Sequence, residues 1–301
     1  MAAPNRKLNL SAGLASVSVA AVLVALKLWA LGETNALSVA ASLADSAMDL
    51  MVSLGGLAAI YYASRPADED HTFGHSSAED LAALGQSLFI MASAGVIGWA
   101  AVWRLMEDTP PELAAQGNGI LVMSVSITLT FALVLWQRHV ARNTGSRVVK
   151  ADSLHYLGDL IPNIGAILSL WASSRFGMEQ IDSVVALGAA LMLAVGAIRI
   201  FQSAWNALMD RVADPEMVAG IGAIARDWPG VYGFHDLKTR TAGSIVFVNL
   251  HIELDGTQTL DEAHAIGAAL RRAILKAYPQ ANVMIHKDPH GVKPHPDDPS
   301  R

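Results

Sequence analysis

Two short stretches, SLADSAMD at Ser42–Asp49 and ADSLHYLGD at Ala151–Asp159, place ionisable side chains inside sequence that is otherwise apolar enough to span a membrane. In each stretch two of these side chains are four residues apart, which puts them on one face of a helix. The four residues are Asp45, Asp49, His155 and Asp159. A charge at the centre of a membrane helix costs about 2.5–3.5 kcal/mol on insertion scales, so we expect these groups to bind a cation.

The composition indicates a membrane protein. Hydrophobic residues form 52% of the 301-residue chain and charged residues only 16%. The chain has no cysteine, so a metal site must use imidazole and carboxylate ligands, which suit zinc, ferrous iron, manganese, cobalt or cadmium better than Cu(I). The net charge of −6 comes without a basic block, which argues against nucleic acid as a partner. No GxxxxGK[ST] loop is present, so we expect no nucleotide and an ion gradient as the energy source.

Six apolar stretches are each long enough for the ~20 residues of a spanning helix. They cover residues 10–31, 36–63, 79–105, 117–138, 148–174 and 181–208. With a rise of about 1.5 Å per residue, the pairs in the second and fifth stretches fall at the same depth near the middle of the membrane. Lys27 lies near one end of the first stretch beside Trp29, where its ammonium group is expected to reach the membrane interface.

The basic residues are distributed unevenly over the connections. One set of connections carries Arg6, Lys7, Arg65, Arg138, Arg142, Arg147 and Lys150, and the other carries Arg104 and Arg175. Because positive residues concentrate on the cytoplasmic side, both termini are expected in the cytoplasm.

The four intramembrane groups can surround a divalent ion, and three carboxylates with one imidazole suit zinc. Two alternatives use the same residues without a metal. The side chains would then form hydrogen bonds between helices, or a proton relay.

After residue 209 the apolar runs stop and a soluble pattern begins. We therefore expect a transmembrane domain at 1–209, a cytoplasmic domain at 210–290 and a disordered tail at 291–301. The cytoplasmic domain reads as helix 215–228, strands 233–241 and 244–254, helix 260–277 and strand 281–287, an αββαβ order. A core of about 80 residues is small, which favours a dimer.

Two further groups of histidines are candidate metal sites. The loop sequence DEDHTFGH contains Asp68, His71 and His75, although a polar loop with two histidines is also ordinary. The predicted cytoplasmic domain contributes His235, His251, His264, His286 and Asp288. There an aspartate near the strand ends would bridge two ions, whereas His264 alone is also compatible with a plain helix surface. His290 lies in the proline-rich sequence that begins at Pro289, where we expect no role.

Four motifs in order, SLADSAMD, DEDHTFGH, ADSLHYLGD and LMDR (Leu208–Arg211), resemble those of the cation diffusion facilitators of the bacterial zinc and ferrous-iron efflux type. The resemblance implies six membrane helices, a metallochaperone-like, ferredoxin-related cytoplasmic domain and a homodimer. It also implies that the four intramembrane residues form the transport site, that the loop residues form a second site and that the cytoplasmic residues form a binuclear site. The chain departs from the family at Ser77, where relatives carry a lysine that pairs with the aspartate of LMDR. Asp210 then needs Arg211 or another basic residue as its partner.

The function that the resemblance implies is proton-coupled efflux of Zn²⁺, and also of Cd²⁺ or Fe²⁺, across the bacterial inner membrane by alternating access. Zinc would be both the cargo and a regulatory ligand of the cytoplasmic domain. The alternative is a membrane-anchored metal sensor or assembly protein in which only the soluble histidines act. An enzyme with a metal-activated water is disfavoured, because the sequence shows no recognisable nucleophile.

Overall fold

The computed structural model describes residues 5–34, 37–106, 117–160 and 181–291. The chain divides into two compact units, Met1–Asn206 and Ala207–Arg301, called here the N-terminal unit and the C-terminal unit. The expected tail lies outside the described residues except for Gly291, so its disorder stays a prediction.

Long helices form the N-terminal unit. They are α1 (Arg6–Thr34), α2 (Leu37–Ala63), α3 (Ser77–Met106), α4 (Gly117–Thr144), α5 (147–160 of the described residues) and α6 (Ile181–Leu208). Among the described residues, four helical segments are long and apolar enough to cross a membrane: Arg6–Trp29, Ser46–Ala63, Ser77–Trp103 and Ala190–Leu208. The count of six spans stays a prediction, and residues 161–174 of the expected fifth span lie outside the described residues.

The helix α5 is buried among the other helices of this unit. Its residues Val148 and Val149 pack with α1, α2 and α4, Ala151 packs with α3 and α6, and Tyr156 packs with α4. The outer surfaces of the other helices carry large exposed apolar side chains, among them Met51, Val96, Trp99 and Leu191. An apolar exterior of this kind is suited to lipid. Asp152, Ser153 and His155 of α5 are instead buried in protein.

Close packing of α5 against α6 depends on a glycine. A Cβ atom placed on Gly196 would lie 2.8 Å from Cδ2 of Leu154. The missing side chain therefore allows α6 to approach the helix that carries His155, as small residues do at membrane helix interfaces.

Replacement of this glycine tests the packing. We expect Gly196→Val to destabilise the bundle by about 1–3 kcal/mol, because the added methyl groups overpack the α5–α6 contact. The matched control is Gly188→Val in the same helix, where an added Cβ would have no neighbouring atom within 4 Å. Thermal unfolding of both variants in detergent measures the difference, and equal midpoints would contradict the packing argument.

The C-terminal unit has the order α7 (Pro215–Arg226), β1 (Gly233–Ala242), β2 (Ile245–Leu254), α8 (Leu260–Ala277) and β3 (Ala281–Pro289). The mixed sheet has the strand order β1-β2-β3, with β1 antiparallel and β3 parallel to the central strand β2. Both helices begin at side-chain caps: Asp214 accepts from the N–H of Glu216 before α7, and Thr259 forms a capping box with Glu262 before α8.

Alternation along β2 separates the core of the unit from its polar face. Val248, Leu250 and Ile252 are fully buried and pack in one cluster with residues of α7 and α8. The intervening residues His251 and Glu253 lie on the opposite face and are half-buried. This face of the sheet is where the predicted histidines meet.

Candidate metal sites

Helices α2 and α5 bring together three of the four intramembrane residues singled out by their spacing. Nε2 of His155 lies 3.1 Å from Oδ1 of Asp49, and both side chains are almost completely buried. Potential ligand atoms of Asp49, His155 and Asp159 all lie within 4.8 Å of one another. This bundle group has the size that one divalent ion requires. The side chain of Asp45 lies outside the described part of α2, so its contribution stays a prediction.

The surroundings of the bundle group are polar and aromatic. The ring of Phe89 contacts His155 edge-on, with 5.7 Å between ring centroids. Nζ of Lys27 on α1 donates to Oγ of Ser46 on α2 at 2.6 Å, because α1 packs against α2. Ser46 lies one helical turn before Asp49. The expected contact of Lys27 with the membrane interface stays a prediction.

A buried carboxylate on α5 was missed by the sequence reasoning. Asp152 is fully enclosed and accepts hydrogen bonds from Ser16 of α1 and Gln137 of α4. Its position in ADSLHYLGD, one helical turn before His155, is the sequence feature that could have identified it.

The loop after α2 brings its three candidate ligands together. Oδ2 of Asp68 lies 3.2 Å from Nε2 of His75, and Oδ1 lies 3.5 Å from Nδ1 of His71. The backbone N–H of His71 is the main cause that lowers the pKa of Asp68 below its ordinary value, and both histidines lower it further. Asp68 therefore remains an anion at the mildly acidic pH at which free histidines become protonated.

In the C-terminal unit the strand register lines up the candidate ligands. His235, His251 and His286 are direct partners across β1, β2 and β3, and Asp288 lies opposite Glu253 in a neighbouring row. Ligand atoms of His235, His251 and Asp288, called here the sheet group, lie within 4.8 Å of one another. The β1 strand bulges directly after His235, at Asp236 with a φ of 49°.

Asp288 is the shared carboxylate of this face. Its Oδ2 lies 2.9 Å from Nδ1 of His251 and 3.4 Å from Nε2 of His235, and its Oδ1 lies 3.1 Å from Nε2 of His286. Both oxygens of Asp288 thus face different histidines, and the bridge between two ions stays a prediction. His264 is exposed on α8. It is not one of the three residues that form the sheet group, so its role as a metal ligand stays a prediction.

Two residues beside the sheet group were not identified from the sequence as part of a site. Oε1 of Glu253 lies 3.1 Å from Nδ1 of His235, and Oε2 lies 2.9 Å from Nδ1 of His290. His290, for which no role was expected, thus lies beside Glu253 at the edge of the sheet group, and its ring stacks on that of Tyr232. The hydrogen bond from His290 is the main cause that lowers the pKa of Glu253, followed by the one from His235. The alternation of β2, with Glu253 on the face of His251, was the signal that could have found it.

Asp210 pairs with Arg240, which is a basic residue other than Arg211. Nη1 of Arg240 lies 3.2 Å from Oδ1 of Asp210. The same guanidinium lies over the ring of Phe247, 4.4 Å from its centroid. The pair ties the segment just after α6 to strand β1 within the C-terminal unit.

Glu253 is expected to hold His235 in the tautomer that leaves Nε2 available to a metal, because Nδ1–H donates to the carboxylate. We expect Glu253→Ala to weaken zinc binding by the sheet group by about 10- to 100-fold. Competition with a chromophoric chelator measures this on the purified chain in an Asp49→Asn background, which separates the sheet group from the bundle group. Asp261→Ala removes an exposed carboxylate of the same unit as a control, and equal affinities for the two variants would refute the orienting role.

Comparison with known proteins shows that two domain models of one protein family match this chain. Residues 13–209 match the cation efflux transmembrane domain, and residues 213–290 match the cation efflux protein cytoplasmic domain. The chain is 39% identical over 283 residues to the cation-efflux pump FieF of Klebsiella pneumoniae, covering 94% of this chain and 93% of that protein. It is 40% identical over 283 residues to FieF of Cronobacter sakazakii, with the same coverage of 94% and 93%.

Solved structures similar to this chain cover part of it. The zinc form of the transporter CzrB is 33% identical with a TM-score of 0.27, covering 29% of this chain and 99% of that one. The metal-bound C-terminal domain of CzcD from Thermotoga maritima is 29% identical with a TM-score of 0.25, covering 26% of this chain and 91% of that one.

Proposed function

Because the chain belongs to the cation efflux family, whose members are also called cation diffusion facilitators, we propose that it exports divalent transition-metal cations from the cytoplasm in exchange for protons. The observation that carries the proposal is the bundle group of Asp49, His155 and Asp159 between α2 and α5. Asp45, one helical turn before Asp49, is the proposed fourth ligand. An anchor for a soluble domain has no need of buried ionisable groups.

The proposed cargo follows from the donor atoms. Imidazole and carboxylate ligands without cysteine suit Zn²⁺, Cd²⁺ and Fe²⁺, and the relatives named FieF are cation-efflux pumps. Zinc is our first choice, because a tetrahedral site of one imidazole and three carboxylates matches its usual coordination.

Proton exchange follows from the chemistry of the ligands. Carboxylates and imidazole must be deprotonated before they bind a metal, so entry of the ion from the cytoplasm releases protons. On the outer side, protonation of the same groups releases the ion and prepares the site for return. Rocking of the helices around a fixed site would expose it to each side in turn.

Localisation and assembly complete the proposal. The distribution of Lys and Arg supports an inner-membrane protein with both termini in the cytoplasm. The match to the cation efflux cytoplasmic domain supports a homodimer. We further propose that the sheet group, with His286 and His264, binds regulatory zinc on the cytoplasmic side, and that the loop group of Asp68, His71 and His75 binds a further ion.

Transport by proteoliposomes tests the main proposal. Zinc uptake driven by an imposed pH gradient is expected for the wild type, and Asp49→Asn should reduce its initial rate by at least about 100-fold, since loss of a direct ligand exceeds the effect of losing an outer partner. Asp227→Asn, an exposed aspartate after α7, serves as the control.

Two results would overturn parts of this proposal. Zinc flux that neither requires nor dissipates the pH gradient removes the proton coupling. Full flux in Asp49→Asn removes the bundle group as the transport site and favours the anchored sensor, in which the soluble histidines act alone.

The regulatory role of the sheet group is tested separately. We expect His235→Ala and His251→Ala to raise the cytoplasmic zinc concentration needed for half-maximal transport by about 10-fold, because each removes a ligand that faces Asp288. His139→Ala is the matched control, since His139 is exposed on α4 and its Nε2 lies 3.0 Å from Nδ2 of Asn143. An unchanged zinc dependence in the two sheet variants would rule out regulation through this face.

A further inference from the structure

The buried carboxylate Asp152 lies at the meeting point of three helices. Ser16 of α1 donates from its hydroxyl to Oδ2 of Asp152, and Nε2 of Gln137 on α4 donates to the same oxygen at 2.6 Å. Nε2 of Gln137 also donates to the Ser16 hydroxyl at 2.6 Å. All three side chains are buried, and both hydrogen bonds to the carboxyl group end on the same oxygen, Oδ2.

The other side of the same cluster lacks a donor. Within the described residues, Oδ1 of Asp152 and Oε1 of Gln137 are both buried and have no hydrogen-bond partner. Both atoms are hydrogen-bond acceptors. The two side chains that carry them are already joined by the hydrogen bond from Nε2 of Gln137 to Oδ2 of Asp152. Leaving two buried acceptors unsatisfied costs free energy. A proton on Oδ1 would make Asp152 a donor toward Oε1 of Gln137, which would satisfy both atoms at once, as in a cyclic acid–amide pair.

We propose that Asp152 is a proton-binding site inside the helical bundle, separate from the metal ligands, and that it loses its proton when the bundle group takes up a divalent cation. This inference rests on the proposed proton-coupled transport and identifies one place where an exchanged proton is held. It adds a fifth ionisable residue to the four that the spacing had identified.

Position along α5 provides the coupling. Asp152 is one helical turn before His155, and both His155 and Asp49 act electrostatically on it. The titratable groups in electrostatic reach of it include Asp49 from α2, and His155 and Tyr156 from α5, whereas its hydrogen-bond partners from α1 and α4 are the uncharged Ser16 and Gln137. A divalent cation at the bundle group favours the ionised carboxylate and expels the proton. When the cation leaves, the buried carboxylate regains its proton, because burial without a nearby cation disfavours its charge.

A purely structural role predicts a different outcome for the isosteric variant. Asp152→Asn keeps the shape of the side chain, and its amide can supply the donor that Oε1 of Gln137 lacks. The variant therefore imitates the permanently protonated state and preserves the contact between α1, α4 and α5. If Asp152 only joins the helices, this substitution changes neither the protons released nor the pH dependence of metal binding.

The test measures protons released per zinc bound by the full-length chain in detergent, from calorimetry in buffers of different ionisation enthalpy. We expect wild-type protein to release up to about one more proton than Asp152→Asn, and the slope of log affinity against pH to fall by the same amount. Asp152→Glu should restore the release. Ser53→Ala, which removes the 2.7 Å hydrogen bond with Tyr156 but no carboxyl group, should leave it unchanged.

A second variant covers the case in which Asp152→Asn fails to fold. Ser16→Ala removes a donor that stabilises the ionised carboxylate, so protons compete better and the pH midpoint of zinc binding moves upward by up to about 1 pH unit. The same midpoint in Ser16→Ala and wild type would overturn the proposal.

The outcomes separate this inference from the proposed function. A wild type that releases no protons on binding zinc contradicts the proton coupling itself. A wild type that releases protons, with the same number and pH slope in Asp152→Asn, refutes the role of Asp152 and leaves the transport proposal standing. Loss of zinc binding in Asp152→Asn, with the fold intact by circular dichroism, assigns Asp152 to the metal site and also refutes a separate proton site.

Discussion

The pairing of Asp49 with His155 across the α2–α5 contact, at 3.1 Å, is the interaction around which the N-terminal unit is arranged. Lipid cannot solvate either group, so both must be enclosed by protein. The helix that carries His155 is accordingly surrounded by its neighbours, while the large apolar side chains of the other helices face outward. The glycine at Gly196 and the buried cluster around Asp152 follow from the same need to enclose polar groups tightly.

Each of the three candidate metal groups contains a carboxylate that faces an imidazole. The groups differ in how exposed these side chains are to solvent. The pair Asp49–His155 is almost fully buried, Asp68 faces His75 at the surface of a loop, and Asp288 faces His251 on a half-buried sheet. Burial determines how such a pair exchanges ions. Groups open to solvent would equilibrate directly with it, whereas an ion at the buried bundle group would be exchanged only when the helices give access, which is the property that the proposed transport requires.

Local periodicity explains how much of this arrangement could be predicted. A spacing of four residues places Asp49 on the face of Asp45, and alternation places Glu253 on the face of His251, because both rules depend only on the repeat of one element. The helix at Leu260–Ala277 and its capping box also follow from local sequence. Other residues make contacts that no repeat encodes. Arg240 reaches Asp210 from 30 residues away, and Ser16 reaches Asp152 across 136 residues.

The amino-acid sequence by itself determined the apolar composition, the chemistry of the ligands and the residues that share a face of each helix or strand. The tertiary structure decided which faces meet: that Gln137 and Ser16 enclose Asp152, that Lys27 turns toward Ser46, and that His290 joins the sheet through Glu253. The physical reason is that side-chain periodicity is a property of a single element. The partner across an interface depends on how distant segments pack, which is set by the sum of many weak contacts throughout the unit.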